Sequence, residues 1–341
     1  MWAVLLLGSV AVADDNILFV GNSYIMINDL PRVVASVYEA AGQRAVTDKL
    51  ASGGLTLATH ADRAADESTA WYGKLVTDAD QREWVVLQDQ SQVPGFPQTQ
   101  AEWVASRDGA VYLDGLIKEA EAETLFFLTW GYRDGDVPNA WRFPDFSTML
   151  GHLTDGYVAY AEACASAERP VWVVPVGPAF AVIHDQIVAE GGDPTQAGSL
   201  FHNLYSGDGS HPSPVGTQLT AYVFFAAITG ETPVGLEPPS GFDSETIATL
   251  QEAAASAVFS TEDAFDFPWE ATAPSDPGPG VDTASETEDC LPDTPPPADS
   301  SHGDKSDGSK KSGCATSPTV PGWGWILVGI VGILSRFRSR H

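Results

Sequence analysis

The sequence predicts an α/β fold in which helices cover both faces of a central parallel sheet of about five strands. Short and nearly continuous apolar runs alternate along the chain with segments of helical length. Runs of this kind are typical of strands that are buried on both faces, and their alternation with helices indicates a parallel sheet. The 341 residues include 43% hydrophobic residues, enough for a substantial core.

Five segments are predicted to form the strands: NILFVG from residue 16, RAVTDKLA from 44, EWVVLQ from 83, TLFFLTWG from 124 and PVWVVPVG from 170. Apolar residues at helical spacing predict a helix over 30–41, with Pro31 in its first turn and Gly42 at its end. Further helices are expected over 101–122, 146–167 and 244–258. The folded domain is therefore expected to span 14–266.

Charge and cysteine content narrow the classes of function. The formal net charge is −29 and the chain has only 17 Lys and Arg residues, so a nucleic-acid partner is not expected. The three cysteines at 164, 290 and 314 lack the spacing of metal ligands. We therefore expect no metal and no cofactor.

The two ends of the chain have the composition of targeting segments. Residues 1–13 are apolar and end in Ala-Val-Ala, which predicts a signal peptide cleaved before Asp14, although no basic residue precedes the apolar run. Residues 267–320 are rich in Pro, Ser and Asp and are expected to form a disordered linker. Residues 321–341 combine an apolar run with an arginine-rich end, which predicts a hydrophobic anchor or sorting segment.

The apolar part of this last segment is shorter than the roughly 20 residues that span a bilayer. Gly313-Cys314, the short apolar run and the terminal arginines together resemble the MYXO-CTERM type of sorting tag. The resemblance implies processing or anchoring at Cys314, and an ordinary membrane anchor is the alternative. Both interpretations place the folded domain outside the cytoplasm, at the cell surface.

Small or polar residues follow each predicted strand. Ligands of open α/β sheets bind beyond the carboxyl ends of the strands, so these residues are where a site is expected. The stretches, in chain order, are Gly21-Asn22-Ser23, Ser52-Gly53-Gly54, Gln88-Asp89-Gln90-Ser91, Trp130-Gly131-Tyr132-Arg133-Asp134 and Gly177-Pro178.

A second polar loop carries a base and a carboxylate. Asp208 and His211 stand three residues apart just before an apolar helix. A serine nucleophile needs a base to take its proton and a carboxylate to orient that base, and Ser23 would complete such a set. The alternative is a simple turn with a hydrated histidine. The Gly-x-Ser-x-Gly elbow of α/β-hydrolases is absent, because Ile25 stands where its last glycine would be.

Five motifs in the right order resemble the SGNH/GDSL hydrolases: GNSYIMINDLP from 21, VVLQDQSQVP from 85, FFLTWGYRDGD from 126, VVPVGPAF from 173 and DGSHPSPVG from 208. The resemblance implies a three-layer α/β/α, flavodoxin-like fold and ester hydrolysis through an acyl-enzyme. It implies Ser23 as nucleophile, His211 as general base and then acid, and Asp208 as its orienting partner.

The same resemblance implies an oxyanion hole formed by the backbone N–H groups of Ser23 and Gly54. The usual G-x-N-D block, which would provide a third donor, is absent. LQDQSQ instead resembles the Q-G-E-S-N stretch of sialate and xylan acetylesterases, so Gln88 or Gln90 is expected to donate. Strand alternation places both on one face and does not separate them. Asn22 replaces the more usual aspartate.

Four residues are expected to contact substrate: Asn22, Trp130, Tyr132 and Arg133. Aromatic faces stack on sugar rings and arginine binds carboxylates. The leading hypothesis is an exported esterase acting on small acyl esters, with acetyl esters of carbohydrate as the favoured class. A lipid esterase or thioesterase, a protease and a non-catalytic glycan-binding module remain alternatives.

Overall fold

The computed structural model describes residues 14–79, 82–166, 169–260 and 265–270. Its centre is a five-stranded parallel sheet in the order β2-β1-β3-β4-β5. This is the flavodoxin-like order, and it confirms the predicted fold class. The strands are β1 (Asp15–Gly21), β2 (Ala45–Ala51), β3 (Trp84–Leu87), β4 (Glu123–Leu128) and β5 (Trp172–Pro175).

Helices flank the sheet, and their ranges are α1 (Ser23–Met26), α2 (Leu30–Ala40), α3 (Leu57–Ala64), α4 (Ala70–Tyr72), α5 (Ala101–Glu119), α6 (Phe146–Cys164), α7 (Val176–Ala189), α8 (Leu200–Asn203), α9 (Pro214–Thr229) and α10 (Ser244–Phe259). Short 3-10 turns occupy Ile27–Asp29, Val93–Gly95 and Val137–Asn139, and a π-helical turn occupies Gly73–Thr77.

Alternation along β1 shows how the sheet serves two cores. Ile17 and Phe19 face one layer of helices, Leu18 and Val20 face the other, and all four are fully buried. Helices α2, α7, α9 and α10 pack on the first face, and α3, α5 and α6 pack on the second. The strands are therefore apolar on both sides, as the continuous runs in the sequence predict.

The interior of α9 explains why its sequence lacks an amphipathic pattern. All of its residues from Gly216 to Ile228 are buried, because the helix lies between α2 and α10. Gly230 ends it in the left-handed conformation, with φ +71°, which glycine adopts without strain. A helix that is apolar all round is a core helix in a protein of this size.

The fifth strand leads directly into a helix. α7 begins at Val176, so Gly177 and Pro178 lie in its first turn, where the sequence alone predicts a loop. Residues 265–270 also belong to the packed domain: Phe267 is buried against the α2–α10 face, and its ring stacks on that of Trp269. The predicted linker spans 267–320, but its first residues, 267–270, are packed on the domain in the structure. The packed domain therefore extends past its predicted end at 266.

Among the residues described, no helix combines the length and the apolarity needed to cross a bilayer. The predicted signal peptide 1–13 and the predicted anchor 321–341 lie outside the described residues, as do Cys290 and Cys314. Cys164 carries a free thiol near the end of α6.

Candidate active site

Ser23 lies at the point where the central strand β1 ends and a single helical turn begins. Asn22 caps that turn, and its Oδ1 accepts a hydrogen bond from the Tyr24 N–H at 3.2 Å. The Ser23 N–H has no acceptor among the described residues. Because it is the first donor of the turn, it points outward from the end of the helix and is free to bind an anion.

Ser23, His211 and Asp208 form one hydrogen-bonded chain. Ser23 Oγ lies 2.9 Å from His211 Nε2, and His211 Nδ1 lies 2.6 Å from Asp208 Oδ2. An ionised carboxylate only accepts hydrogen bonds, so Nδ1 carries the proton and Nε2 accepts from the serine hydroxyl. The structure thus brings together residues that are 188 positions apart in sequence.

The environment of Asp208 favours its ionised form. Partial burial acts to raise its pKa, but donors from the Ser210 N–H, the His211 ring and the His211 N–H outweigh burial and lower the pKa to about 2. Both backbone donors bond to Oδ1 at 3.0 Å, which leaves Oδ2 for the ring. The carboxylate therefore stays charged and oriented through the range in which a histidine titrates.

Three hydrogen bonds join the loop after β4 to residues 205–211, which we call the His211 loop, and hold that loop in place. Trp130 Nε1 donates to the Ser210 carbonyl at 3.0 Å, and the Arg133 N–H donates to the Gly209 carbonyl at 2.9 Å. The Tyr205 hydroxyl donates in the other direction, to the Gly131 carbonyl at 2.8 Å. The base is therefore fixed relative to the carboxyl end of the sheet.

An aromatic stack supports the same arrangement from below. The Trp130 ring lies between those of Tyr24 and Phe180, at 4.8 and 4.5 Å between centroids and nearly parallel to both. Tyr24 in turn meets the His211 ring edge-on at 5.5 Å. Asn28 adds a polar tie, because its amide donates to the Pro212 carbonyl at 3.1 Å. Its φ of 59° is the left-handed conformation, which asparagine tolerates.

The two predicted backbone oxyanion donors, the N–H groups of Ser23 and Gly54, come from different loops. Gly54 follows β2 in the left-handed conformation, with φ +70° and open space beside its Cα. Asn22 connects this loop to the others, since its Nδ2 donates to the Leu55 carbonyl at 3.1 Å and to the Asp89 carbonyl at 3.0 Å. Asn22 is buried and fully bonded, so the structure gives it the role of a bracket between loops rather than of a substrate contact.

The structure separates the two glutamines that alternation could not. β3 ends at Leu87, so Gln88 and Gln90 lie in the loop beyond it. Gln88 is fully buried; its Oε1 accepts the Asn22 N–H at 3.0 Å, and its Nε2 donates to the Asp89 carbonyl. Gln90 is only partly buried, and its Nε2 donates to Gln92 Oε1 at 2.7 Å and more weakly to Ser91 Oγ at 3.3 Å. Both ends of the Gln88 amide are therefore hydrogen-bonded inside the protein. The Gln90 amide donates one short and one long hydrogen bond, and the long one can be exchanged for a bond to a ligand.

The other predicted substrate contacts are placed differently from expectation. Trp130 is fully buried in the aromatic stack, so its faces are closed to a sugar ring. The guanidinium of Arg133 is bound to Asp134 at 2.6 and 3.0 Å, so it is already paired with a carboxylate. Tyr132 is partly exposed, and its hydroxyl lies 2.7 Å from Ser91 Oγ. Of these residues, Tyr132 is the one whose position suits contact with a ligand.

Asp89 belongs to the site as well, although no pattern in the sequence distinguishes it from its neighbours. Its carboxylate is fully buried and accepts from four uncharged groups: Leu57 N–H, Gln90 N–H, Ser106 Oγ and Tyr160 Oη, at 2.7 to 3.2 Å. Burial raises its pKa to about 6, because these donors only partly replace water. The carboxylate ties the loop of Gln90 to the start of α3. Only its burial distinguishes it, and burial is not visible in the sequence.

His60 is a second residue of this kind. It is fully buried on α3; Trp71 Nε1 donates to its Nδ1 at 2.8 Å, and its Nε2 lies 2.9 Å from the Gly21 carbonyl. Because an indole N–H only donates, Nδ1 accepts and Nε2 carries the proton that bonds Gly21. Burial lowers the His60 pKa to about 4. A neutral imidazole therefore supports the strand end from which Ser23 projects.

Within the described residues, no group of three or more His, Cys, Asp or Glu side chains is arranged to hold a metal ion. What the site offers is a hydroxyl, an oriented imidazole and free backbone N–H groups.

No protein-family model matches the chain, and no curated protein matches it. Solved structures do. A DUF4886 family protein from Bacteroides uniformis is 17% identical with a TM-score of 0.57, covering 76% of this chain and 99% of the other. A proposed SGNH hydrolase from Slackia heliotrinireducens is 23% identical with a TM-score of 0.45, covering 62% and 97%. A variant of a Geobacillus acetyl-xylooligosaccharide esterase is 14% identical with a TM-score of 0.41, covering 63% and 94%. The first of these supports the fold described above.

The opposite pKa shifts of His60 and Asp89 predict how stability depends on pH. His60 binds its proton more readily when unfolded, so it takes stability away as pH falls from about 6.5 to 4. Asp89 binds its proton more readily when folded, so it adds stability as pH falls from about 6 to 4. In the natural sequence the two effects act in opposite directions over this range of pH.

Asp89→Asn removes one side of this balance. We expect the free energy of unfolding of the variant to fall between pH 6 and pH 4 more steeply than that of the natural protein, by up to about 1.4 kcal/mol per pH unit. Urea denaturation at intervals of half a pH unit measures the difference. Parallel curves for the two proteins would show that Asp89 titrates normally.

Proposed function

We propose that this protein is a serine hydrolase that cleaves carboxylic esters through an acyl-enzyme. The observation that carries the proposal is the unbroken chain from Ser23 Oγ to His211 Nε2 and from His211 Nδ1 to Asp208. A nucleophile, its base and an orienting group in hydrogen-bond contact are the signature of nucleophilic catalysis. The resemblance of the motifs around these residues to those of SGNH/GDSL hydrolases supports the same assignment.

The geometry defines the role of each group. His211 Nε2 takes the proton as Ser23 Oγ attacks the ester carbonyl, and the resulting imidazolium is stabilised by Asp208. The imidazolium then returns the proton to the leaving alcohol as the tetrahedral intermediate breaks down to the acyl-enzyme. Water, activated by the same histidine, attacks the acyl group and regenerates the Ser23 hydroxyl. The carboxylate remains ionised throughout, in keeping with its low pKa.

The negative charge that develops on the carbonyl oxygen needs fixed donors. The Ser23 N–H and the Gly54 N–H are proposed as two of them. For the third we favour Gln90, because the Gln88 amide is bonded on both ends to Asn22 and Asp89. Gln90 would exchange its 3.3 Å contact with Ser91 for the oxyanion.

Small acyl esters, acetyl esters of carbohydrate in particular, are the proposed substrates. The resemblance of LQDQSQ to the corresponding stretch of sialate and xylan acetylesterases supports this choice. A lipid esterase or thioesterase would use the same catalytic groups, and activity on long-chain esters alone would favour it.

We also propose that the domain acts outside the cytoplasm. The Ala-Val-Ala end of residues 1–13 and the apolar, arginine-terminated segment 321–341 support export and retention at the cell surface. Mass spectrometry of the protein recovered from a secreting bacterial host is expected to find Asp14 at the amino terminus. Recovery of the protein with residues 1–13 attached would contradict export by this route.

Ser23→Ala is expected to lower kcat on short-chain esters by about 10⁴-fold or more, because the attacking group is removed. Turnover of ethyl acetate in a pH-stat measures the loss, and the thermal midpoint should stay nearly unchanged. Ser36→Ala, on an exposed face of α2, is the matched control. A fluorophosphonate probe should label Ser23 alone, as peptide mass spectrometry would show.

Retained turnover in Ser23→Ala, or labelling at another residue, would refute the proposed nucleophile. Loss of the fold in the variant would make Ser23 structural. If the natural protein neither turns over any ester nor reacts with the probe, a non-catalytic binding module becomes the better description.

Gln88→Ala and Gln90→Ala are expected to differ in kind. Gln88→Ala leaves the buried Asn22 N–H without its acceptor, so the free energy of unfolding should fall by about 1–3 kcal/mol. Gln90→Ala removes the acceptor of the Gln92 N–H, but that bond is only partly buried, so the free energy of unfolding should fall by less than in Gln88→Ala. kcat should fall by about 10²- to 10³-fold, as expected for loss of one oxyanion donor. Denaturation and steady-state kinetics on both variants test this. Equal and mild effects on kcat would exclude a glutamine donor.

A further inference from the structure

An exposed aromatic residue stands on the loop that follows β4. We call residues 136–143 the rim loop. Val137 and Trp141, both on this loop, are the most exposed large hydrophobic side chains of the described residues, at 85% and 69%. A single exposed apolar side chain is ordinary, but two of the most exposed ones on the same short loop form a grouped apolar surface of the kind that marks a binding site.

The rim loop is held rigidly, so this exposure is not the result of a loose segment. Asp136 is buried, and its Oδ2 accepts from Gln92 Nε2 at 2.7 Å and from Asn139 Nδ2 at 2.6 Å. At the other end, Arg142 Nε donates to the Gly95 carbonyl at 2.9 Å. The buried Phe143 ring stacks on Phe96 at 5.7 Å. Both ends of the loop are therefore fixed, and Trp141 is presented outward between them.

The rim loop is joined to the proposed active site by short chains of hydrogen bonds. Gln90 Nε2 donates to Gln92 Oε1 at 2.7 Å, and Gln92 in turn donates to Asp136. On the other side, the same connection from β4 carries Arg133, whose N–H bonds the Gly209 carbonyl in the His211 loop. The rim loop thus lies at the carboxyl edge of the sheet, where Ser23 also lies.

We propose that Trp141 is a substrate-recognition residue that stacks on a sugar ring of an acylated carbohydrate. This rests on the proposed esterase function and specifies the group that carries the ester. A rigid indole offers a flat apolar face to the C–H face of a sugar and loses little conformational entropy on binding. Trp141 thus takes the stacking role that the sequence analysis expects of Trp130, whose ring is buried.

Charge favours a neutral sugar over a membrane surface as the ligand of this loop. The chain carries a formal charge of −29, while beside the rim loop Asp134 is paired with Arg133. Anionic lipid headgroups would be repelled by a protein of this net charge, whereas a neutral carbohydrate would not.

The test compares two acetyl esters that differ in the presence of a sugar. Trp141→Ala should raise KM for acetylated cellobiose about tenfold, which is the effect of losing one stacked ring. kcat and KM for ethyl acetate should stay unchanged. Trp141→Phe should recover most of the affinity. Tyr112→Ala, an exposed aromatic residue on α5, is the matched control and should alter neither substrate.

Each other outcome overturns the proposal. Equal losses on both esters, or no change on acetylated cellobiose, would show that Trp141 does not bind the sugar. A loss confined to emulsified tributyrin would identify a lipid-binding loop. Turnover of ethyl acetate without turnover of acetylated cellobiose by the natural protein would refute sugar recognition by Trp141 and leave the esterase proposal intact.

Calorimetric titration with cellobiose separates this inference from the proposed function. Binding that is present in the natural protein and lost in Trp141→Ala would support sugar recognition by Trp141 even if no ester were hydrolysed. Binding that persists in the variant would place the sugar elsewhere.

Discussion

The side chain of Asn22 is the constraint on which the geometry of the site depends. Its amide bonds the loops after β2 and β3 through the carbonyls of Leu55 and Asp89, and its carbonyl caps the turn that begins at Ser23. Because these groups are buried, each lost partner would cost about 1–3 kcal/mol. An aspartate at this position would lack the two donors, which gives a physical reason for asparagine here. Ser23, Gly54 and Gln90 are thereby held in one fixed relation.

Two aspartates at the same edge of the sheet have opposite electrostatic environments. Asp208 is half exposed and has nearby N–H donors and an imidazole, which lower its pKa to about 2. Asp89 is fully buried among uncharged donors, and its pKa rises to about 6. Environment rather than residue type therefore assigns the roles: the first orients a base, and the second supports the loops behind the site.

Ser23 and the His211 loop are separated by 188 positions in the sequence and must be held together by tertiary contacts. The connection after β4 does this with one indole N–H and one backbone N–H, while Tyr205 bonds back to the same connection. The stacked rings of Phe180, Trp130 and Tyr24 give this contact a rigid base. Trp130 thus contributes through packing and one hydrogen bond. Because its ring is buried, the exposed indole at this edge of the sheet is that of Trp141 on the rim loop.

The layers of the fold, and the edge of the sheet at which the site lies, can be predicted from the amino-acid sequence. Apolar runs of strand length, separated by helices, permit little but a parallel sheet covered on both faces, and the polar residues after each run mark its carboxyl edge. The motifs around Ser23, Asp208 and His211 identified three residues that the structure then places in contact.

Which side chains at that edge are buried and which are free follows only from the packing of the folded chain. Alternation along β3 ends at Leu87, so no periodic rule applied to Gln88, Asp89 and Gln90. Trp130 and Trp141 are equally aromatic in the sequence, yet one is enclosed by Tyr24 and Phe180 and the other is exposed. Burial depends on neighbours contributed by distant elements, and local sequence carries no record of those neighbours.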